Sequence, residues 1–149
     1  MVTVRRITPD HPDFLALVHA LDAELAIRDG DDHPFYAQFN TLGAIRQAVL
    51  ALIDDVAVGC CAFKAFKEET MEIKRMYVAP AHRGRGIAPA LLAELEQWGR
   101  ETGYREAILE TGFNQPEAIR LYEKCGYHRI PNYGPYANVA NSVCFGKGL

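Results

Sequence analysis

The stretch APAHRGRGIAPALLAELEQWG, residues 79–99, sets two arginines and two glycines directly ahead of an apolar helical run, in a chain of net charge −3. A turn needs one glycine, and a solvated face has no use for glycines between its charges. Backbone N–H groups at a helix start have no partner inside the helix, and the aligned peptide dipoles add partial positive charge there. Gly84 and Gly86 let the backbone bend and approach a ligand closely. Successive N–H groups then form a concave nest suited to phosphate oxygens. Arg83 and Arg85 add formal charge and forked donors. The competing reading is a glycine-rich turn with solvated arginines. Two known phosphate loops are excluded. G-x-x-x-x-G-K-[ST] is absent, and GRGIAP carries Pro89 where the third glycine of G-x-G-x-x-G belongs.

Working outward, MEIKRMYVAP at 71–80 reads as a strand stopped by Pro80, so the loop lies at that strand's carboxyl end. Upstream, AVLALIDD at 48–55 and VAVGCCAFKAF at 56–66 read as a hairpin turning at Asp54-Asp55. VTVRRI at 2–7 reads as an opening strand. Phe14, Leu17, Val18, Leu21 and Leu25 recur at helical spacing. DGDDHP at 29–34 breaks that helix, and TLGAIRQ at 41–47 is read as a second short one. Downstream, AILETG ends a strand, and QPEAIRLYEKCGY at 115–127 is a helix with proline in its first turn and Gly126 as C-cap. YHRI at 127–130 and NSVCFGK at 141–147 are the last strands.

Short turns pair strands 2 to 4 antiparallel, while the helical crossover makes strands 4 and 5 parallel. The expected fold is α/β: a mixed, mostly antiparallel sheet of six or seven strands with helices on both faces, in a single domain over residues 1–149.

Hydrophobic residues make up 49% and charged residues 23%, which suits a packed core and excludes disorder. No broad basic surface accompanies the loop, which argues against nucleic-acid binding and for a small anionic ligand. The four cysteines, Cys60, Cys61, Cys125 and Cys144, form no C-x-x-C pair. Strand neighbours point to opposite faces, so Cys60 and Cys61 are poor mutual partners; reduced thiols in a cytoplasmic protein are expected. The N-terminus lacks the apolar run of a signal peptide, and AVLALI at 48–53 is too short to span a bilayer, so no membrane association is expected.

MEIKRMYVAPAHRGRGIAPALLAELEQWG at 71–99, followed by AILETGFNQPEAIRLYEKCGY at 107–127, resembles the GNAT superfamily of N-acetyltransferases, over residues 56–130. The resemblance rests on V-x-P-x-x-R-G-x-G-I-[GA] paired with A-I-x-L-Y-E-x-x-G-[YF]. It implies that Arg83, Gly84, Arg85, Gly86, Ile87 and Ala88 hold the pyrophosphate of acetyl-CoA. It further implies that strands 4 and 5 splay, often at a bulge, and that the pantetheine arm inserts there against the backbone of Met76, Tyr77 and Val78. The family's usual asparagine, three residues before the alanine of A-I-x-L-Y, is Gln115 here, with Asn114 beside it. Which of the two meets the cofactor stays open. Pro89 replaces a small or polar residue, at little cost in a first helical turn.

Attack of an amine on a thioester requires that the ammonium, with a pKa of about 10, lose a proton. It also requires an oxyanion donor and a proton for the departing thiolate. The oxyanion donor is expected to be a backbone N–H near Tyr77 or Val78. Tyr122 resembles the family's thiol-protonating tyrosine; on spacing alone, between Ile119 and Cys125, it reads as core. Glu72 matches a glutamate that serves as general base in part of the family, with Glu110 or water as alternatives. Asp29, Asp31 and Asp32 either attract a cationic amine or form a solvated loop. Tyr133 and Tyr136 either wall a substrate site or make a structural turn.

Ser142, the one serine, lies in no nucleophile-elbow pattern, and the five histidines include no i,i+4 pair, so no metal is expected. The expectation is therefore an acetyl-CoA-dependent N-acetyltransferase acting in a ternary complex on a small-molecule or protein amine. The alternative is a noncatalytic acyl-CoA-binding regulatory module. Exposed strand edges add the expectation of a homodimer.

Overall fold

The computed structural model describes residues 1–37 and 43–149. In chain order these form β1 (Val2–Ile7), α1 (Pro12–Asp29), a 3-10 turn (Gly30–Asp32), α2 (His33–Ala37), β2 (Gln47–Ile53), β3 (Val56–Lys67), β4 (Thr70–Val78), α3 (Ile87–Thr102), β5 (Glu106–Gly112), α4 (Pro116–Lys124), β6 (His128–Ile130) and β7 (Ser142–Gly148). The described strands make one sheet in the order β1-β2-β3-β4-β5-β7-β6. Only β4 and β5 run parallel; every other neighbouring pair is antiparallel. The expected mixed sheet is the observed one.

Strand alternation divides the apolar residues between two faces. Val49, Ala51, Cys61, Phe63, Met71 and Ile73 pack against Ile87, Leu91, Leu92 and Leu95 of α3 and Tyr122 of α4. Leu50, Leu52, Cys60 and Ala62 pack against Phe14, Val18 and Leu21 of α1. Cys60 and Cys61 thus enter different cores, and all four cysteines are free thiols. At the hairpin between β2 and β3, Asp54 and Asp55 take left-handed φ angles of 51° and 64°. Aspartate is among the few side chains that tolerate this region.

One expectation is extended and one corrected. DGDDHP ends α1 at Asp29, as expected, and the chain then passes through the 3-10 turn into α2. Pro34 falls in the first turn of α2, where its missing N–H costs little. Of the helix expected at 41–47, residues 41 and 42 lie outside the described residues; 43–44 are a turn and Gln47 begins β2. Ile45, with 2% of its surface exposed, supplies an apolar anchor to the α1 core without helical backbone. At the end of α4, Cys125 takes the capping position and Gly126 follows it with φ 93°.

The parallel pair is short. Thr70, Met71 and Glu72 pair with Glu106, Ala107 and Ile108, and beyond Glu72 the strands part. On the other edge of β4, Ala62 faces Lys74 while Cys60 faces Tyr77, so β4 carries an extra residue. Arg75 takes up the bulge, with φ 61°. The insertion reverses the alternation: Met76 and Val78 join the α3 core and Tyr77 the α1 core. Arg75 is buried, and its guanidinium donates to the Val18 carbonyl at 3.3 Å and to the Asp22 carboxylate. The bulge is thereby tied to α1.

Gly59 of β3 lets α3 seat against the sheet. A Cβ there would stand 3.1 Å from the Tyr77 carbonyl oxygen, 3.2 Å from Leu91 Cδ1 and 3.3 Å from Ile87 Cγ2. Overpacking of this kind costs about 1–3 kcal/mol. Gly59→Val is therefore expected to lower the unfolding free energy by that amount, seen as a lower urea midpoint with an unchanged slope; an unmoved midpoint would contradict this seating of α3.

Candidate active site

The loop between β4 and α3 turns on Gly84 and Gly86, with φ of 80° and 77°. Both angles suit glycine, and a Cβ at either position would meet nothing within 4 Å. The backbone face is open. Gly86 caps α3 with no side-chain hydrogen bond. Among the described residues, no protein acceptor is recorded for the amides of Gly84, Arg85, Gly86, Ile87 or Ala88. Pro89 has no N–H, so the row of donors ends at Ala88.

These residues border a groove of about 570 Å³. Its walls include Met76, Tyr77 and Val78 of β4, Arg83, Gly84, Gly86, Ile87 and Ala88, and Gln115 at the start of α4. Leu21, Glu24 and Arg28 of α1 close the other side. Gln115 faces the groove, whereas the exposed Asn114 does not line it. The residues present fit an elongated ligand with an anionic end: unpaired donors at a helix start lead into an apolar channel.

The two arginines differ from each other. Arg83 Nε donates to the Val78 carbonyl at 2.8 Å, and its terminal nitrogen donates to both carboxylate oxygens of Glu24, at 2.9 and 3.1 Å. Its guanidinium also lies 5.5 Å from the centre of the Tyr77 ring. Arg83 therefore clamps the loop to β4 and α1. Arg85 is exposed and does not line the groove.

Where β4 and β5 part, a smaller cavity of about 140 Å³ opens. It shares Leu21, Met76, Gln115, Ala118 and Leu121 with the groove, so the two lie side by side. Glu110 of β5 and Tyr122 of α4 both line it. Burial lifts the Glu110 carboxyl to about 7, against the opposing pull of the Ser142 hydroxyl and the Lys74 ammonium. Ser142 Oγ donates to Glu110 Oε2 at 2.8 Å. Tyr122 is buried, and its hydroxyl is held well above the ordinary tyrosine range, first by burial and then by Cys61, Cys125 and Glu110. It thus stays protonated at neutral pH.

Glu72 is placed differently. It is 4% exposed and does not line the cavity. Tyr133 donates to it at 2.7 Å, and Lys74 and Lys64 stand 3.6 and 3.8 Å away. Glu72 thereby sits between two lysines and the Tyr133 hydroxyl. Lys74 also donates to Tyr136 at 3.3 Å, and burial holds its ammonium below the usual lysine range. Tyr136 lines the cavity and Tyr133 does not. Asp29 reaches the cavity too; burial raises its carboxyl, and His33 Nδ1 lies 3.8 Å away. Asp31 and Asp32 are exposed.

Sequence reasoning missed the cavity residues Arg75, Leu25 and Tyr36, and the bond from Ser142 to Glu110. Only the β5–β7 register, which sets Gly112 opposite Ser142, brings that last pair together. No group of three or more metal-ligating side chains occurs among the described residues. No described helix is long and apolar enough to cross a membrane.

The acetyltransferase (GNAT) family pattern matches residues 15–127. The IAA acetyltransferase of Azospirillum brasilense is 33% identical over 156 aligned residues, covering 99% of this chain and 98% of that protein. A Klebsiella pneumoniae crystal structure described as an acyl-CoA N-acyltransferase superposes with a TM-score of 0.83 at 34% identity, over 100% of this chain and 98% of that one. A GNAT acetyltransferase from Elizabethkingia anophelis, solved with acetyl-CoA bound, shares the fold with a TM-score of 0.72 at 20% identity, over 99% and 98% of the two chains. The splayed parallel pair, the donor-rich loop and these near-complete alignments agree: the chain belongs to the acetyltransferase (GNAT) family.

Proposed function

We propose that the protein transfers an acetyl group from acetyl-CoA to a primary amine by direct attack in a ternary complex. The observation that carries this reading is the adjacency of two spaces. The groove that begins at the unpaired amides of the loop and the cavity lined by both Glu110 and Tyr122 share Leu21, Met76, Gln115, Ala118 and Leu121 as walls. Acetyl-CoA supplies the activated acyl group. The amides of Gly84 to Ala88 bind its pyrophosphate, and Met76, Tyr77, Val78 and Gln115 line the path of the pantetheine arm. Arg83 contributes by holding the loop through Glu24 and Val78.

Holding thioester and amine side by side removes any need for a covalent enzyme intermediate. Glu110 takes the proton that the acceptor ammonium must lose; a carboxyl lifted to about 7 is ionised often enough at neutral pH and still basic enough to accept. Tyr122 gives a proton to the sulfur as the C–S bond breaks, and regains one from solvent. Glu72 balances Lys64 and Lys74 and takes no part in proton transfer. The acceptor is a small amine, or an amine presented on a narrow arm, because the cavity measures only about 140 Å³.

Thiol release from acetyl-CoA with a panel of amines tests the reading. Tyr122→Phe is expected to lower kcat by about 10²–10⁴ while the KM for acetyl-CoA changes little. Coenzyme binding with no thiol release for any amine would instead mark a noncatalytic acyl-CoA-binding module.

The pH profile has a defined sign. A base is active when ionised, so kcat/KM is expected to rise with pH through about 7. Glu110→Gln is expected to remove that limb and lower the rate by about 10²–10⁴. A limb that survives in Glu110→Gln would contradict the assignment.

A side chain at Gly86 forces the loop out of its left-handed turn. Gly86→Val is expected to weaken CoA and desulfo-CoA alike, by about 10–100-fold for the loss of charge-assisted hydrogen bonds. Unchanged calorimetric affinity for both would place the pyrophosphate elsewhere.

A further inference from the structure

Resting on the role of Glu110 proposed above, we propose that Ser142 and Tyr36 are positioning residues, forming a buried hydroxyl relay from α2 through β7 that orients the Glu110 carboxylate and stabilises its ionised form. Ser142 is the only serine in the chain and is 4% exposed. Its Oγ lies 2.8 Å from Glu110 Oε2 on one side and 3.2 Å from the Tyr36 hydroxyl on the other. Chemistry fixes the direction of the chain. A carboxylate can only accept, so the single Ser142 proton goes to Glu110; Tyr36 then donates its own proton to Ser142 Oγ. Each link polarises the next in a water-poor setting.

The relay is held by backbone anchors. The Ser142 amide donates to the Val139 carbonyl at 3.1 Å, and the Ser142 carbonyl accepts from Asn132 Nδ2 at 3.1 Å. Next to it, Asn141 Nδ2 donates to Asp32 at 2.8 Å, pinning the 3-10 turn to the start of β7. Tyr36 lies just after this turn, so the segment that walls the cavity also carries the outer link of the relay.

Other groups act on Glu110 as well. Lys74 on β4 favours its ionised form, while Glu72 on β4 and Asp29 at the end of α1 oppose it. Tyr122 on α4, Tyr136 ahead of β7 and Cys144 on β7 also face it, and each is neutral at pH 7. All of these remain when the Ser142 hydroxyl is removed, so its deletion isolates the relay.

The test reads the proton directly and needs no acceptor. In protein labelled with ¹³C-carboxyl glutamate, the Glu110 resonance is assigned by its loss in Glu110→Gln and titrated in each variant. Ser142→Ala is expected to move its midpoint up by about one pH unit, the worth of one hydrogen bond to a charged group. Tyr36→Phe is expected to move it the same way by a smaller amount, and Ser142→Thr to restore it. With the most active amine of the panel, the acid limb of kcat/KM is expected to follow the midpoint. An unmoved midpoint in both Ser142→Ala and Tyr36→Phe would overturn the relay, even if the rate fell, because losing a hydrogen bond to the carboxylate must raise its midpoint. A midpoint that moves while the rate limb does not would keep the relay and overturn Glu110 as the base.

Discussion

Three residue pairs join β4 to β5, and the bulge at Arg75 stands just beyond the last of them. Parallel strands that continued to pair would fill the space between them with ladder hydrogen bonds. Here the extra residue turns β4 away, and its guanidinium, bonded to the Val18 carbonyl and the Asp22 carboxylate, fixes the turn against α1. A left-handed arginine costs of order 1–3 kcal/mol and persists only where its surroundings over-determine it. The surroundings do so: the side chain is buried against α1, and the reversed alternation sends Met76 and Val78 into the core beside Ile87 and Leu91. The cleft follows from that constraint, as does the exit of β4 toward the donor loop.

Several cations around the cleft are paired with carboxylates. Arg75 is bonded to Asp22, Arg83 to Glu24, and Lys64 and Lys74 lie beside Glu72. Buried charges are costly without such partners. In the reading proposed here, backbone amides at one end and Glu110 with Tyr122 at the other meet the ligand. This division suits a reaction that grips an anion in one place and moves protons in another. Glu72, which matches a family base, accepts from Tyr133 and lies beside Lys64 and Lys74, outside the lining of the cavity.

Local rules made much of this legible. Apolar spacing found α1, and Phe14, Val18 and Leu21 are its buried residues. Alternation found the strands and sent Cys60 and Cys61 to opposite cores. The loop's two glycines, alternating with arginines at a helix entrance, marked an open backbone, and both take left-handed φ angles. What stayed hidden depended on contacts distant in sequence. The pairing of Arg83 with Glu24 is one such contact, because Glu24 lies on another element. Glu110 and Ser142 meet only through the β5–β7 register, and a lone serine carries no local sign of that role. The path through DGDDHP into α2 was masked by turn-forming residues that also suit a helix's first turn.

The central claim is that unpaired amides at the start of α3 grip the pyrophosphate and aim the thioester into the cleft between β4 and β5. Titration of ¹⁵N-labelled protein with CoA, followed amide by amide, tests it most directly. The account predicts that the largest shifts fall on Gly84, Arg85, Gly86, Ile87 and Ala88, with a second group at Met76 to Val78. Saturable CoA binding that leaves residues 84–88 unmoved and perturbs another surface would contradict it.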